Sequence, residues 1–211
     1  MKTILYIHGM GGGADSRIPR ILRQSFGHTD IRCIVRTYDF DPERGHAQIA
    51  SWVDELRPDL VIGESLGAAH ALRIRGVPQL FVSPALGGPD RIVRMAGLAR
   101  TSLGRALLRK IWHAKKGDRQ PIRFEHDLML KYGPHWEEAR KVAAEGGYHF
   151  AFFGTRDHYL KWGVVSIDTW REMFGDTFQL YEGSHFMEEE YIHSLLIPKI
   201  REVLGNPALC K

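Results

Sequence analysis

Six short apolar runs, rich in β-branched and aromatic residues, recur along the chain at 3–7, 31–36, 60–62, 80–82, 149–153 and 177–181. Most alternate with stretches whose apolar residues follow helical spacing, at 18–26, 48–56, 66–75 and 188–204. Near-continuous apolar strands are buried on both faces, so the pattern predicts a mainly parallel sheet of about six strands with helices on both sides, an α/β fold. The third helical stretch is expected to end at Gly76, with Arg73 and Arg75 in its last turn where cations suit the helix dipole.

Residues 88–145 break this alternation and are too many for a loop inside a compact domain. Ile92, Ala96, Ala99, Leu103, Leu107 and Ile111 recur every three or four residues, which predicts an amphipathic helix with arginines on its other face. Gly97 and Gly104 weigh against it. Residues 126–142 are expected to add more helix. The chain therefore reads as one domain over residues 1–211, with a helical insertion at about 88–145 between the fourth and fifth strands.

With 211 residues, 44% of them hydrophobic and 26% charged, a chain of this kind buries roughly 70% of its unfolded surface and needs no disulfide or metal staple. Cys33 and Cys210 fit no zinc or redox spacing, and the first residues show no secretory pattern, so free thiols in a reducing cytoplasm are expected. No apolar run approaches the roughly 20 residues that cross a bilayer, which argues against stable membrane insertion. The net charge is +4, but residues 88–123 hold ten Lys/Arg against two Asp; elsewhere nineteen basic residues face twenty-three acidic ones. The basicity belongs to the insertion.

The sharpest motif is Gly63-Glu64-Ser65-Leu66-Gly67, which follows the third apolar run and opens the third helical stretch. A serine hydroxyl is a poor nucleophile unless a tight strand-to-helix turn lifts it clear of the sheet and sets it beside a base. The flanking glycines allow that turn, and the helix start favours negative charge. Leu5-Tyr6-Ile7-His8-Gly9-Met10-Gly11-Gly12-Gly13 runs from the first strand into a glycine-rich loop. In acyl transfer the attacked carbonyl becomes an oxyanion that needs two fixed N–H donors. Leu66 can supply one and Met10, or failing it Gly11, the other. His8, closing a buried strand, reads as held by backbone hydrogen bonds.

The acid and base follow the fifth and sixth strands. Phe153-Gly154-Thr155-Arg156-Asp157 places a carboxylate just past one, and Tyr181-Glu182-Gly183-Ser184-His185 an imidazole just past the other. In a parallel sheet these carboxyl ends share one rim, so Ser65, Asp157 and His185 can converge. Asp168 and Asp176 are poorer acids because neither directly follows a strand. His193 falls inside the last helix, and His158 beside the acid is expected to point elsewhere. A rival template exists: Gly9, Gly11 and Ala14 match a dinucleotide-binding turn, with Asp39 as its ribose partner. That would make the protein an oxidoreductase, but it leaves the serine, acid and histidine motifs without a role. A non-catalytic binding protein on the same fold is a further alternative.

On these pieces, together with Ser83-Pro84-Ala85 after the fourth strand, the chain resembles the α/β-hydrolase superfamily, and within it the small bacterial esterases of the YqiA type. The resemblance implies Ser65 as nucleophile, His185 as base and Asp157 as acid in ester or thioester hydrolysis through an acyl-enzyme. It also implies a sheet without the first two strands of larger relatives, and no cofactor. The basic insertion is longer than those small esterases carry and sits where such hydrolases place a cap. Leu103, Leu107, Ile111 and Trp112 could line an acyl pocket there, while Arg105, Arg109, Lys110, Lys115 and Lys116 could meet an anionic group. Alternatively, these cations form the solvated face of a helix. Aromatic residues are not interleaved among them, which argues against nucleic acid, and no metal-ligand spacing appears among the eleven histidines. The expected partner is a small-molecule ester or thioester; oligomeric state stays open.

Overall fold

The computed structural model describes residues 1–112, 117–206 and 208. Lys115, Lys116 and Cys210 lie outside the described residues. Six strands, β1 (Lys2–Ile7), β2 (Ile31–Val35), β3 (Leu60–Glu64), β4 (Gln79–Val82), β5 (His149–Gly154) and β6 (Phe178–Tyr181), form one sheet. Their order is β2-β1-β3-β4-β5-β6 and every neighbouring pair is parallel. All six predicted strands are present within a residue or two of their expected bounds.

Alternate residues of the four central strands enter opposite cores, as the two-residue period of a strand dictates. Ile4, Tyr6, Leu60, Ile62, Leu80, Val82 and Phe152 pack on one face against α1 (Arg17–Phe26) and the C-terminal helix. Leu5, Ile7, Val61, Phe81, Ala151 and Phe153 face the other way. There they meet α2 (Pro42–Leu56), α3 (Ala68–Ala71), and two later helices, α7 and α8, defined below. This two-sided burial is why the strands lack a polar face in the sequence.

Helix α2 begins six residues before its expected start. Asp41 caps it, accepting from Glu43 N (3.0 Å) and Arg44 N (3.3 Å), and Pro42 occupies the first turn. Helix α3, in contrast, stops at Ala71 rather than running to Gly76. From Arg73 onward the backbone tightens to Arg73 N–His70 O (3.1 Å) and Ile74 N–Ala71 O (2.9 Å), and the Gln79 side-chain amide takes the Ile74 carbonyl at 2.7 Å. That carbonyl is thus withdrawn from any continuing helix.

Within residues 88–145 the structure has α4 (Gly88–Met95), a 3₁₀ turn (Ala96–Arg100), α5 (Ser102–Ile111), α6 (His126–Leu130) and α7 (Tyr132–Ala144). The single long helix expected from Ile92 to Ile111 is broken at Thr101, whose backbone is extended and whose hydroxyl accepts from Gly104 N at 3.0 Å as a new N-cap. Gly104 is required rather than tolerated: a Cβ there would lie 1.9 Å from the Leu98 carbonyl oxygen. The insertion builds a third core, in which Ile92, Leu108, Phe124, Leu128, Met129 and Tyr132 pack with Phe40 and Leu66. Helix α8 (Ile167–Phe174) follows β5, and the chain closes with α9 (Glu189–Tyr191), a π turn (Ile192–Leu196) and α10 (Ile197–Leu204). The wide turn precedes Pro198, which has no N–H to donate back into the helix. No helix among the described residues is long and apolar enough to cross a membrane.

Three histidines on different helices meet behind the sheet. His46, His70 and His135 have ring centroids 4.5–6.0 Å apart, and Arg73 donates to His135 Nδ1 at 2.8 Å. Burial, with Arg73 beside them, pushes His46 down to about 4 and His135 to about 3, while burial and the other two rings hold His70 well below the ordinary histidine range. All three are neutral in the folded protein. The unfolded chain takes up their protons near pH 6.5, so their contribution to stability is complete above that pH and is lost on acidification. Urea midpoints measured between pH 7.5 and 5, above the range where carboxylates titrate, should fall steadily below about pH 6.5; a flat profile across that interval would show that these rings are not buried together.

Candidate active site

Strand β3 ends at Glu64, and Ser65 takes φ +50°, a left-handed conformation that is costly for serine and holds its side chain above the turn. Both flanking glycines are fixed by packing. A Cβ on Gly63 would sit 3.0 Å from Ala71 Cβ and 3.1 Å from Ala68 Cα; one on Gly67 would sit 2.4 Å from the Ile7 carbonyl oxygen. The turn is therefore pressed against the end of β1, which places the glycine loop beside the serine. Gly9 also has no room for a side chain, since its Cβ would be 2.9 Å from Ser65 Cβ.

The loop closes as a turn, with Gly12 N donating to Gly9 O at 2.9 Å and Gly11 at φ +70° as glycine allows. Tyr38 donates its hydroxyl to the His8 carbonyl (2.6 Å) and stacks on the His8 ring at 4.4 Å, while His8 Nδ1–H donates to the Gly9 carbonyl (2.8 Å). Burial pushes His8 down to about 4. His8 thus braces the loop, as expected, and stays neutral. Among the described residues no partner takes the Met10 N–H, and the start of the turn after Ser65 leaves the Leu66 N–H outside any helical ladder.

The loops after β5 and β6 bind each other. Thr155 N donates to Tyr181 O (2.9 Å) and Arg156 N to Gly183 O (2.9 Å), so the acid and histidine loops extend the strand pairing. Gly154 permits it, because a Cβ there would lie 2.4 Å from Gly183 O. From this frame His185 Nε2 reaches Ser65 Oγ at 2.9 Å and His185 Nδ1 reaches Asp157 Oδ2 at 2.7 Å. Asp157 Oδ1 accepts from Tyr159 N at 2.8 Å. A carboxylate can only accept, so the proton belongs on Nδ1, which leaves the Nε2 lone pair for the serine O–H. His185 and Asp157 are 3% and 4% exposed, which shields the pair from competing water.

The other candidates lie elsewhere. His193 is exposed, 3.8 Å from Glu189. Asp168 and Asp176 both pair with Arg171 on the surface. His158 stacks on Tyr159 with its ring 6.2 Å from His185. The dinucleotide template finds no free cradle: Gly11 N donates to Gln120 Oε1 (3.1 Å), Gly13 N to Ser16 Oγ (3.1 Å) and Ala14 N to Thr37 Oγ1 (3.2 Å), while Asp39 is held by Arg123 at 2.5 Å. Among the described residues no group of three or more His, Cys, Asp or Glu, the buried histidine cluster included, is arranged to hold a metal ion.

The insertion corrects the expected pocket. Because Thr101 re-aims α5, Leu108 turns inward while Leu103, Leu107 and Ile111 are 80%, 49% and 55% exposed; these residues face solvent rather than lining a site. Arg105 donates to the Ala99 carbonyl at 2.8 Å, and Arg109 is exposed in the last turn of α5. Neither meets the serine. Trp112 alone of that set turns inward, half-buried beside Phe124 against the core that holds Leu66. Two residues were not foreseen. Gln120, 1% exposed, grips the glycine loop from the insertion, its side-chain Oε1 accepting from Gly11 N at 3.1 Å and its backbone N–H donating to Gly12 O at 2.7 Å. Tyr159 packs edge-on against the His185 ring at 4.6 Å. No local sequence pattern marks either, since both act through tertiary contacts.

The structure is similar to a monoacylglycerol lipase from Paleococcus ferrophilus (18% identity, 96% of this chain and 94% of that one, TM-score 0.61). It is also similar to Est1E from Butyrivibrio proteoclasticus, solved with ferulic acid bound (12%, 98% and 90%, TM-score 0.67), and to mouse alpha/beta hydrolase domain-containing protein 10 (12%, 96% and 89%, TM-score 0.61). The chain has the α/β-hydrolase fold. No protein-family model and no curated protein matches the sequence. If Gln120 holds the loop as drawn, Gln120→Ala should lower turnover of any substrate attacked by Ser65 about tenfold, with KM little changed, because a displaced donor weakens transition-state charge stabilisation. A KM effect alone would assign Gln120 to substrate binding instead.

Proposed function

We propose that the protein is a serine hydrolase that cleaves a carboxylic ester or thioester through an acyl-enzyme. The observation that carries this reading is the buried relay from Ser65 Oγ through His185 to Asp157 at the carboxyl edge of the sheet. Ser65 attacks the carbonyl carbon as its proton passes to His185 Nε2. The carbonyl oxygen becomes an oxyanion facing the Met10 and Leu66 N–H groups. The C–O or C–S bond then breaks and the leaving alkoxide or thiolate takes the proton from Nε2. Water, deprotonated by the same nitrogen, attacks the acyl-enzyme, frees the acid and returns the proton to Ser65. Asp157 holds the imidazole tautomer throughout. No cofactor enters the scheme.

Residues 88–145 act in this reading as a cap, since their core includes Leu66 and packs against Met10, the two residues assigned to the oxyanion. The named ligands and activities of similar structures, a monoacylglycerol lipase and a protein that binds ferulic acid, agree with a small-molecule ester as substrate. A fluorophosphonate probe should label the wild-type protein covalently and fail to label Ser65→Ala; an unlabelled wild type would overturn the reading. With p-nitrophenyl esters of graded chain length, His185→Ala and Asp157→Asn should each lower kcat by roughly 10⁴-fold, as loss of a base or of its tautomer does. Near-full activity of Asp157→Asn would move the acid to another residue.

A further inference from the structure

Helix α5 presents a face that the fold leaves uncovered. Leu103, Leu107 and Ile111 stand four residues apart, form one stripe, and are 80%, 49% and 55% exposed. Helical residues of this size ordinarily turn inward, and here Leu108 already does so. The stripe is therefore surplus to the core. Its C-terminal end adjoins Trp112, which is half-buried against the insertion core beside Phe124, the same core that holds Leu66.

The charge around it is equally unbalanced. Between Asp90 and Asp118 the chain has eight Lys/Arg and no carboxylate. Elsewhere ten of the twenty described cations pair with a carboxylate, among them Arg36 with Glu55, Arg75 with Glu145, Arg123 with Asp39, Lys131 with Asp41 and Arg171 with Asp176. In contrast, Arg94, Arg109 and Lys110 have neither an ion pair nor a hydrogen-bond partner among the described residues, and all three are exposed. Arg91 and Arg105 reach only backbone carbonyls, of Trp162 and Ala99. An apolar stripe with Lys110 beside it and Arg109 on the polar face of the same helix matches a surface that offers acyl chains beneath a layer of negative charge.

We propose that α5 docks the protein on an anionic lipid surface, with Leu103, Leu107 and Ile111 entering the acyl boundary while Arg94, Arg109 and Lys110 meet phosphate headgroups. The helix lies in the plane of the interface and does not cross it, consistent with its ten residues. Charge complementarity favours this occupant over a second copy of the chain, whose α5 would bring the same cations together. The proposal rests on residues outside the triad and holds whether or not Ser65 is a nucleophile.

Cosedimentation with vesicles of phosphatidylglycerol and phosphatidylcholine in equal parts tests it, with pure phosphatidylcholine vesicles as the reference. The full chain should sediment with the anionic vesicles, remain in solution with the neutral ones, and be released as salt is raised. The doubles Leu103→Ser/Leu107→Ser and Arg109→Glu/Lys110→Glu should each weaken binding by about tenfold or more. Both change exposed side chains, and unaltered melting temperatures would show that they fold. Absence of wild-type binding to anionic vesicles, equal binding to neutral ones, or wild-type binding by the two variants would each overturn the proposal. So would a wild-type dimer in gel filtration that the leucine double dissociates, since the stripe would then be a self-association face. Fluorophosphonate labelling of the same samples is read separately and reports on Ser65 alone.

Discussion

The hydrogen bond from His185 Nδ1 to Asp157 Oδ2, 2.7 Å long and almost closed to solvent, is the contact on which the rest of the site depends. It fixes which imidazole nitrogen carries the proton and turns the other toward Ser65. A buried carboxylate is costly unless its lone pairs are used. Here both oxygens are engaged, one by His185 and one by the Tyr159 N–H. The fold supplies this contact through the β5 and β6 loops, which continue to hydrogen-bond past the ends of their strands and close over Gly154, where no side chain fits. A parallel sheet with all carboxyl ends on one rim then brings residues 120 positions apart within reach.

The insertion is joined to this site rather than hung over it. Its apolar core includes Leu66, the residue after the serine, and Gln120 holds the glycine loop by two hydrogen bonds. A Cβ on Gly13 would strike the Asp118 carbonyl at 1.7 Å, so the loop and the insertion are fitted backbone to backbone. Disturbing the insertion should therefore move the glycine loop beside Ser65.

Much of this was legible in the sequence because burial on both sheet faces leaves uninterrupted apolar runs. The three polar side chains that matter also sit where such runs stop. Ser65, Asp157 and His185 follow β3, β5 and β6 by one, three and four residues, and topology does the rest. The insertion was harder. Periodicity from Ile92 to Ile111 is continuous in the sequence, but Thr101 competes as an N-cap and restarts the helix, turning Leu103, Leu107 and Ile111 outward. The early start of α2 was signalled by Asp41 and Pro42, whereas the early end of α3 was not, since it depends on Gln79 reaching back to Ile74. Gln120 and Tyr159 act only through partners distant in sequence, and no local pattern reports such partners.

The central claim is that the His185 imidazole carries a proton on the nitrogen facing Asp157 and turns its other nitrogen to Ser65. Proton NMR of the protein in water at neutral pH reads that hydrogen directly. A single resonance well downfield of the amide region, retained in Ser65→Ala and absent in both His185→Ala and Asp157→Ala, is the predicted result. A wild-type spectrum without that resonance, or one in which it survives loss of Asp157, would contradict the account.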